Sequence, residues 1–135
     1  ILIRPSLETH MVSAKVAMLG GARLERKDQD GLSELMARSW LGGTKSLSEE
    51  QIYHEIEMLA AGMSPIAGRN SIGLKMDCLS PFQGKARELF LDVLFNSSFP
   101  EDVIQRERSL QLEQIKSKND NPSNVCIRGF MKGLF

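Results

Sequence analysis

The fold class is decided by the stretch Ser71-Ile72-Gly73-Leu74-Lys75-Met76-Asp77-Cys78, in which apolar and polar side chains alternate with a period of two. Such alternation is typical of a β-strand with one face buried and the other in contact with water. The segment from Gly62 to Ser80 is too short for a helical crossover, so strands within it should pair antiparallel. We therefore predict this strand together with one more short strand over residues 64–67.

Amphipathic helices are predicted on both sides of this strand, because apolar residues recur there at helical spacing. Ser48 with Gln51, and Ser80 with Gln83, form two capping-box patterns. The five predicted helices begin near Gly31, Ser48, Ser80, Pro100 and Asn121.

The N-terminal part predicts further strands. Residues 10–19 alternate with a period of two up to Gly20-Gly21, and Ile1 to Ile3 could form a short strand that ends before Pro5. Residues 23–30 are too charged to bury and indicate an exposed connection. The order of elements predicts an α+β fold, with an antiparallel β-sheet and helices layered on one face.

Composition excludes several classes of function. Lysine plus arginine equals 17 and aspartate plus glutamate equals 17, so no net positive field attracts nucleic acid. No apolar run approaches the ~20 residues that span a bilayer, so no membrane span is predicted. Cys78 and Cys126 lie on apolar faces and are predicted to be buried and inert, which favours a reducing, cytoplasmic compartment.

The residues by themselves reveal no active site. His54 lies on a predicted helix near Glu50 and Glu57, and such a group could hold a metal ion. A solvated helix face is the favoured interpretation, because no second histidine lies nearby. The stretch Gly42-Gly43-Thr44-Lys45-Ser46 follows a helix instead of a strand, which argues against a phosphate-binding loop.

Three stretches form a combined pattern that no single piece would establish. They comprise Gly20-Gly21-Ala22-Arg23-Leu24-Glu25 with Gly31-Leu32-Ser33 and Gly43-Thr44; Ser48-Glu49-Glu50-Gln51-Ile52 with Glu57, Gly68-Arg69 and Ser71; and Asp92-Val93-Leu94, Phe99-Pro100-Glu101-Asp102, Arg106-Glu107-Arg108, Ile115 and Asp120-Asn121-Pro122. Together they resemble the pitrilysin/insulinase family of zinc metallopeptidases, which includes mitochondrial processing peptidases and respiratory core proteins. The resemblance implies a pitrilysin-peptidase-like domain that is incomplete in this chain.

In active members of that family, one helix carries an inverted His-x-x-Glu-His motif, whose histidines bind zinc and whose glutamate activates water. The resemblance places these three positions at Glu34, Ala37 and Arg38. Neither alanine nor arginine can perform the corresponding role, because alanine has no proton acceptor and arginine carries a permanent positive charge.

The third zinc ligand of the family is a glutamate that follows the glutamate of an Arg-Glu-Arg-like triplet by seven residues. Counted from Glu107, this position falls on Gln114, while a shift of one residue would offer Glu113 instead. The resemblance therefore implies no catalytic, cofactor-binding or metal-binding residue in this segment.

The resemblance also implies what the parent protein does. Residues 1–135 are predicted to be one partial, non-catalytic domain of a larger zinc-dependent endopeptidase for unstructured peptides. This domain would wall the chamber and pack against a homologous zinc-bearing domain, in the same chain or in a partner subunit, with zinc held only there. The main alternative is a scaffold subunit of the same fold without peptidase activity. A third alternative is a peptide-binding module that uses a free edge of the strand at residues 70–79.

Overall fold

The computed structural model describes residues 2–5 and 8–120, together with Cys126 and Phe130. The strands in these residues are β1 (Met11–Leu19), β2 (Gly62–Ala67) and β3 (Ser71–Leu79). The α-helices are α1 (Leu32–Ser39), α2 (Glu49–Met58), α3 (Gln83–Asn96) and α4 (Glu101–Asp120). The predicted α+β class is confirmed. None of the described helices combines the length and the apolar character that crossing a bilayer requires.

The strands form one antiparallel sheet in the order β1-β3-β2. Leu74 of β3 lies opposite Val16 of β1 on one side and opposite Pro65 of β2 on the other. The apolar row of β3, from Ile72 to Cys78, is at most 8% exposed, as the alternation predicted. Because β3 is the central strand, the expectation of a free edge at residues 70–79 is wrong.

The core lies between one face of the sheet and the helices. Helix α3 packs against β3, whereas α1 contacts β2 and β3, and α2 contacts β2. The buried cluster is formed by Trp40, Leu41, Ile52, Ile56, Leu59, Ile72, Leu74, Met76, Cys78, Ala86, Leu89, Phe90 and Val93. Fully burying one such aliphatic or aromatic side chain contributes roughly 1.5–3 kcal/mol, so this layer is the main stabilising element.

The short N-terminal strand and the burial of Cys126 are wrong predictions, and the fifth helix is described only in part. Residues 2–5 form no strand, and the side chains of Leu2 and Ile3 are exposed. Cys126 is also exposed, although its position on an apolar helical stripe predicted burial. The fifth predicted helix, from Asn121 onward, lies outside the described residues except at Cys126 and Phe130, which are helical.

The start of α3 also differs from its prediction. Ser48 does form the predicted capping box with Gln51 at the start of α2, but Ser80 does not form one with Gln83. Residues 80–82 form a 3-10 turn that leads into α3 without a side-chain cap. The backbone N–H of Ser80 donates to the carbonyl of His10 at 2.9 Å, so it is not free to donate to the Gln83 side chain as a capping box requires.

Candidate functional site

The candidate site is the junction between α1 and α4, where Arg38 lies between two polar side chains. Arg38 Nε donates to Glu34 Oε1 at 2.9 Å, and Arg38 Nη2 donates to Gln114 Oε1 at 2.8 Å. The Arg38 side chain is only 27% exposed, whereas that of Glu34 is 46% exposed. The structure thus joins three of the four positions that the resemblance singled out, through one guanidinium.

Helix geometry explains how these side chains meet. Glu34 and Arg38 are four residues apart on α1, and this spacing places both on one helix face. Gln111 and Gln114 are three residues apart on α4 and share a face of that helix in the same way. Gln111 Nε2 donates to the carbonyl of Gly31 at 3.1 Å, so α4 binds α1 near its start and, through Gln114, near its end.

The start of α1 is fixed by Glu25, a role that the sequence did not reveal. Its carboxylate accepts hydrogen bonds from the backbone N–H groups of Gly31 at 2.8 Å and Ser33 at 2.6 Å. A side-chain hydrogen bond from Ser33, together with these backbone donors, holds the pKa of Glu25 below its ordinary value. A carboxylate at a helix N-terminus is also favoured by the helix dipole. The only sequence signal was the place of Glu25 in the first family-like stretch.

The fourth position of the resemblance is Ala37, which is buried on α1 and offers no donor atom. Zinc in proteins prefers imidazole, thiolate and carboxylate ligands. The junction instead presents a permanent cation, an amide and a carboxylate that already accepts from that cation. These residues do not fit a zinc ion.

The structure also addresses the other metal candidates from the sequence. No group of three or more His, Cys, Asp or Glu side chains in the described part of the chain could hold a metal ion. His54 is exposed on α2, and the structure does not bring Glu50 and Glu57 to it as a metal-ligand group. Glu113 is exposed, and the contact with Arg38 is made by Gln114.

The first family-like stretch packs against the turn between β2 and β3. The N–H of Ala22 donates to the carbonyl of Gly68 at 3.3 Å, and that of Arg23 donates to the carbonyl of Arg69 at 2.9 Å. Gly21 has a φ of +79°, and a Cβ at this position would overlap the Gly68 carbonyl. The glycine is therefore required by both conformation and space.

The third family-like stretch connects α4 to α2. Arg106 donates to both carboxylate oxygens of Glu49, at 2.9 and 2.6 Å. These hydrogen bonds hold the pKa of the Arg106 guanidinium above its ordinary value. Bidentate pairing of this kind fixes geometry more firmly than a single ion pair does, so Arg106 links α4 to the start of α2.

Comparison with known proteins shows which family the chain resembles in sequence. Residues 1–133 match the family described as Insulinase (Peptidase family M16). The chain belongs to this family. An uncharacterized zinc protease of Rickettsia bellii is 25% identical over 115 residues, which are 85% of this chain and 28% of that protein. Subunit 1 of the mitochondrial cytochrome b-c1 complex of Mus musculus is 25% identical over 107 residues, 79% of this chain and 22% of that protein.

Solved structures give the same fold. The peptidase M16 inactive domain from Pseudomonas fluorescens superimposes with a TM-score of 0.85 at 20% identity. The match covers 94% of this chain and 31% of that one. This M16 chain thus spans less than a third of the length of each of these relatives. The family prediction made from the three stretches is confirmed, and so is the predicted fold.

Proposed function

We propose that residues 1–135 are one partial, non-catalytic domain of a zinc-dependent endopeptidase that cleaves unstructured peptides. In this proposal the domain walls the chamber and packs against a homologous zinc-bearing domain, in the same chain or in a partner subunit. Zinc belongs to that other domain, where a His-x-x-Glu-His helix would hold it and metal-activated water would attack the peptide bond. This chain supplies no catalytic, cofactor-binding or metal-binding residue.

The observation that carries the proposal is the position of the Arg38 guanidinium. The resemblance places zinc ligands at Glu34, Arg38 and Gln114, and these three side chains meet at the α1–α4 junction. A guanidinium already carries the positive charge that a metal would bring, and its fork of donors binds a carboxylate and an amide together. The arrangement is the one expected where a metal centre has been replaced by a protein cation.

The surface beside the junction supports a role in packing against another domain. Leu32, Leu35, Leu112 and Ile115 line a shallow groove between α1 and α4. Leu112 and Ile115 are each 49% exposed, and Leu32 is 52% exposed. An exposed apolar patch rimmed by charged residues is typical of a protein–protein contact surface.

Rebuilding the family motif tests the assignment. We expect the chain with Glu34→His, Ala37→Glu, Arg38→His and Gln114→Glu to bind one zinc ion, because the resemblance places the zinc ligands and the water-activating glutamate of active members at these four positions. The unaltered chain should bind none. Zinc binding is measured by isothermal titration calorimetry, with circular dichroism to show that each variant is folded.

Two controls sharpen this test. The variant that keeps Gln114 but carries the other three changes has Glu113 only as a neighbour in the sequence. We expect it to bind zinc at least about 10-fold more weakly, since losing even a partner outside the ligand set costs about 10- to 100-fold in affinity. Stoichiometric zinc binding by the unaltered chain, or cleavage of a fluorogenic peptide by it, would overturn the proposal. Failure of the folded four-residue variant to bind zinc would show that these positions do not correspond to the family's ligands.

The second candidate function is a scaffold subunit of the same fold without peptidase activity. The similarity to a cytochrome b-c1 complex subunit favours it. The two candidates differ in the remainder of the parent protein. An intact His-x-x-Glu-His helix with its downstream glutamate, in the parent or a co-purifying subunit, supports the peptidase domain, and its absence from both supports the scaffold. The compartment stays a prediction from the sequence.

A further inference from the structure

Two arginines meet where the loop after β1 contacts the turn between β2 and β3. The N–H of Arg23 donates to the carbonyl of Arg69 at 2.9 Å, and both side chains are exposed. Residues 22–24 form a 3-10 turn, in which the N–H of Leu24 donates to the Gly21 carbonyl at 3.0 Å. The backbone therefore attaches two guanidinium groups to neighbouring positions. We call the surface formed by Arg23, Leu24 and Arg69 the arginine corner.

The acidic residues that follow Arg23 in the sequence do not neutralise this corner. Both carboxylate oxygens of Glu25 accept from backbone N–H groups at the start of α1. Asp28 and Asp30 line the groove between α1 and α4 instead. Among residues 2–5, 8–120, 126 and 130, neither Arg23 nor Arg69 takes part in an ion pair. Like charges held close together repel, so a carboxylate from outside this part of the chain would stabilise the corner.

The chemistry of the arginine corner fits such a carboxylate. A guanidinium donates two parallel hydrogen bonds to one carboxylate, and these charge-assisted bonds are stronger than those between neutral groups. Leu24 is 69% exposed beside Arg23, so the same ligand can make an apolar contact. Because hydrogen bonds already fix the backbone of the corner, binding requires little further ordering of the main chain. An acidic segment that also carries an apolar side chain satisfies all three residues.

We propose that the arginine corner docks an acidic segment of the parent protein that lies outside residues 1–135. Carboxylates of that segment bind Arg23 and Arg69, and an apolar side chain covers Leu24. The proposal rests on the proposed function in one respect, that this chain is part of a larger protein. It adds the chemistry of one contact by which the larger protein holds this domain.

Nucleic acid and anionic membranes fit this surface less well. The chain carries 17 basic and 17 acidic residues, so no overall field attracts a polyanion. Recognition of anionic lipid takes clusters of about four to eight basic residues. Arg26, the next arginine along the chain, is paired with Asp28 at 3.5 Å. The corner itself presents two guanidinium groups, which match the carboxylates of a short acidic segment.

Carbodiimide cross-linking of the complete parent protein tests the proposal. Arg69→Lys places a primary amine at the arginine corner, and the carbodiimide couples this amine to a carboxylate that it contacts. We expect mass spectrometry to find a cross-link from position 69 to an Asp or Glu outside residues 1–135, in the parent chain or in its partner subunit. Arg23→Lys should give a cross-link to the same acidic segment.

Two matched variants control the cross-linking. Arg106 donates to the oxygens of Glu49 at 2.6 and 2.9 Å, so Arg106→Lys should give a cross-link between α4 and α2. Arg87 is exposed on α3 and takes part in no ion pair with the residues that the structure describes. Arg87→Lys should therefore give no cross-link.

Three outcomes overturn the proposal. Absence of a cross-link at positions 23 and 69, beside the Arg106→Lys cross-link, means that the corner is free. A cross-link into residues 1–135 of an isotopically labelled second copy assigns the corner to self-association. Binding to vesicles of phosphatidylserine and phosphatidylcholine that Arg23→Glu with Arg69→Glu abolishes assigns it to a membrane. None of these measurements uses zinc, so a parent protein without zinc rejects the proposed function alone.

A charge exchange gives an independent check in the complete parent protein. Arg69→Glu should lower its unfolding temperature, and replacing the cross-linked carboxylate with lysine should restore most of that loss, because the pair is then rebuilt with its charges reversed. Arg87→Glu is the control, and the same lysine should not rescue it. Failure of the lysine to rescue Arg69→Glu would contradict direct pairing at the arginine corner.

Discussion

The layer between the helices and the sheet and the junction between α1 and α4 are built on different principles. Leu74 and Val93 are fully buried within the layer, where stability comes from apolar area and close packing. The junction is formed by Arg38, Glu34 and Gln114, whose hydrogen bonds are partly open to water. We therefore expect the fold to tolerate changes in the polar residues at the junction. A catalytic motif can change there while the family's fold persists.

The largest expected effect is in the apolar layer. Leu74→Ala leaves a cavity in the central strand and should lower the free energy of unfolding by about 2–5 kcal/mol. Leu79→Ala is the matched control, since Leu79 is in the same strand but 41% exposed, and it should cost less than about 1 kcal/mol. Urea unfolding followed by circular dichroism measures both. Equal losses of unfolding free energy in the two variants would show that burial in this layer does not dominate stability.

A smaller effect is expected where the first family-like stretch meets the turn between β2 and β3. Gly21→Ala places a Cβ against the Gly68 carbonyl at a positive φ and should lower stability by about 1–3 kcal/mol. Gly62→Ala is the control, because a Cβ at Gly62 would meet no atom within 4 Å. Thermal unfolding compares the two. If both variants unfold at the same temperature as the unaltered chain, the turn at Gly21 does not require glycine.

Glu25 should contribute about 1 kcal/mol to stability, as other helix N-cap groups do. Its pKa is lowered in the folded chain from an ordinary value of 4.5. Its contribution is therefore present above pH 4.5 and is lost as the pH falls through the lower pKa of the folded state. Glu25→Gln should lower stability at pH 7 and match the unaltered chain at low pH.

Urea unfolding at several pH values checks this dependence, with Glu57→Gln on the exposed surface of α2 as the control. A Glu25→Gln difference that stays constant down to pH 2 would show that the carboxylate charge does not support the start of α1.

The smallest effect is expected at the junction. Arg38→Met should cost less than about 1 kcal/mol, because partly exposed ion pairs contribute little. The exposed Arg87 of α3 provides the matched control Arg87→Met. A double-mutant cycle with Gln114→Leu isolates the coupling between Arg38 and Gln114. A loss above about 3 kcal/mol would show that the junction is structurally essential, and the contrast between the two regions would be wrong.

Much of the architecture could be predicted because local patterns determine it. The alternation over residues 71–78 and the capping box at Ser48 depend only on neighbouring residues, and both are confirmed. The cap predicted at Ser80 is wrong because its N–H is used by His10, which is 70 positions away in the sequence. Local rules cannot detect such a competitor.

The candidate site was less predictable for the same reason. The resemblance identified Glu34, Arg38 and Gln114 only as positions that lack zinc-binding chemistry. The hydrogen bond between Arg38 and Gln114 joins residues 76 positions apart, and sequence spacing alone does not reveal it. The capping role of Glu25 was also missed, because its acceptor atoms reach across a charged connection that the sequence indicated only as exposed.

The guanidinium between α1 and α4 has a consequence for maturation. Metal ligands must lose protons and capture an ion before they join two helices, so a zinc-held connection weakens with acidification, chelators or zinc starvation. Arginine keeps its charge across the physiological pH range and needs no delivery of an ion. Helices α1 and α4 of this chain can therefore associate during synthesis, independently of the cell's zinc supply.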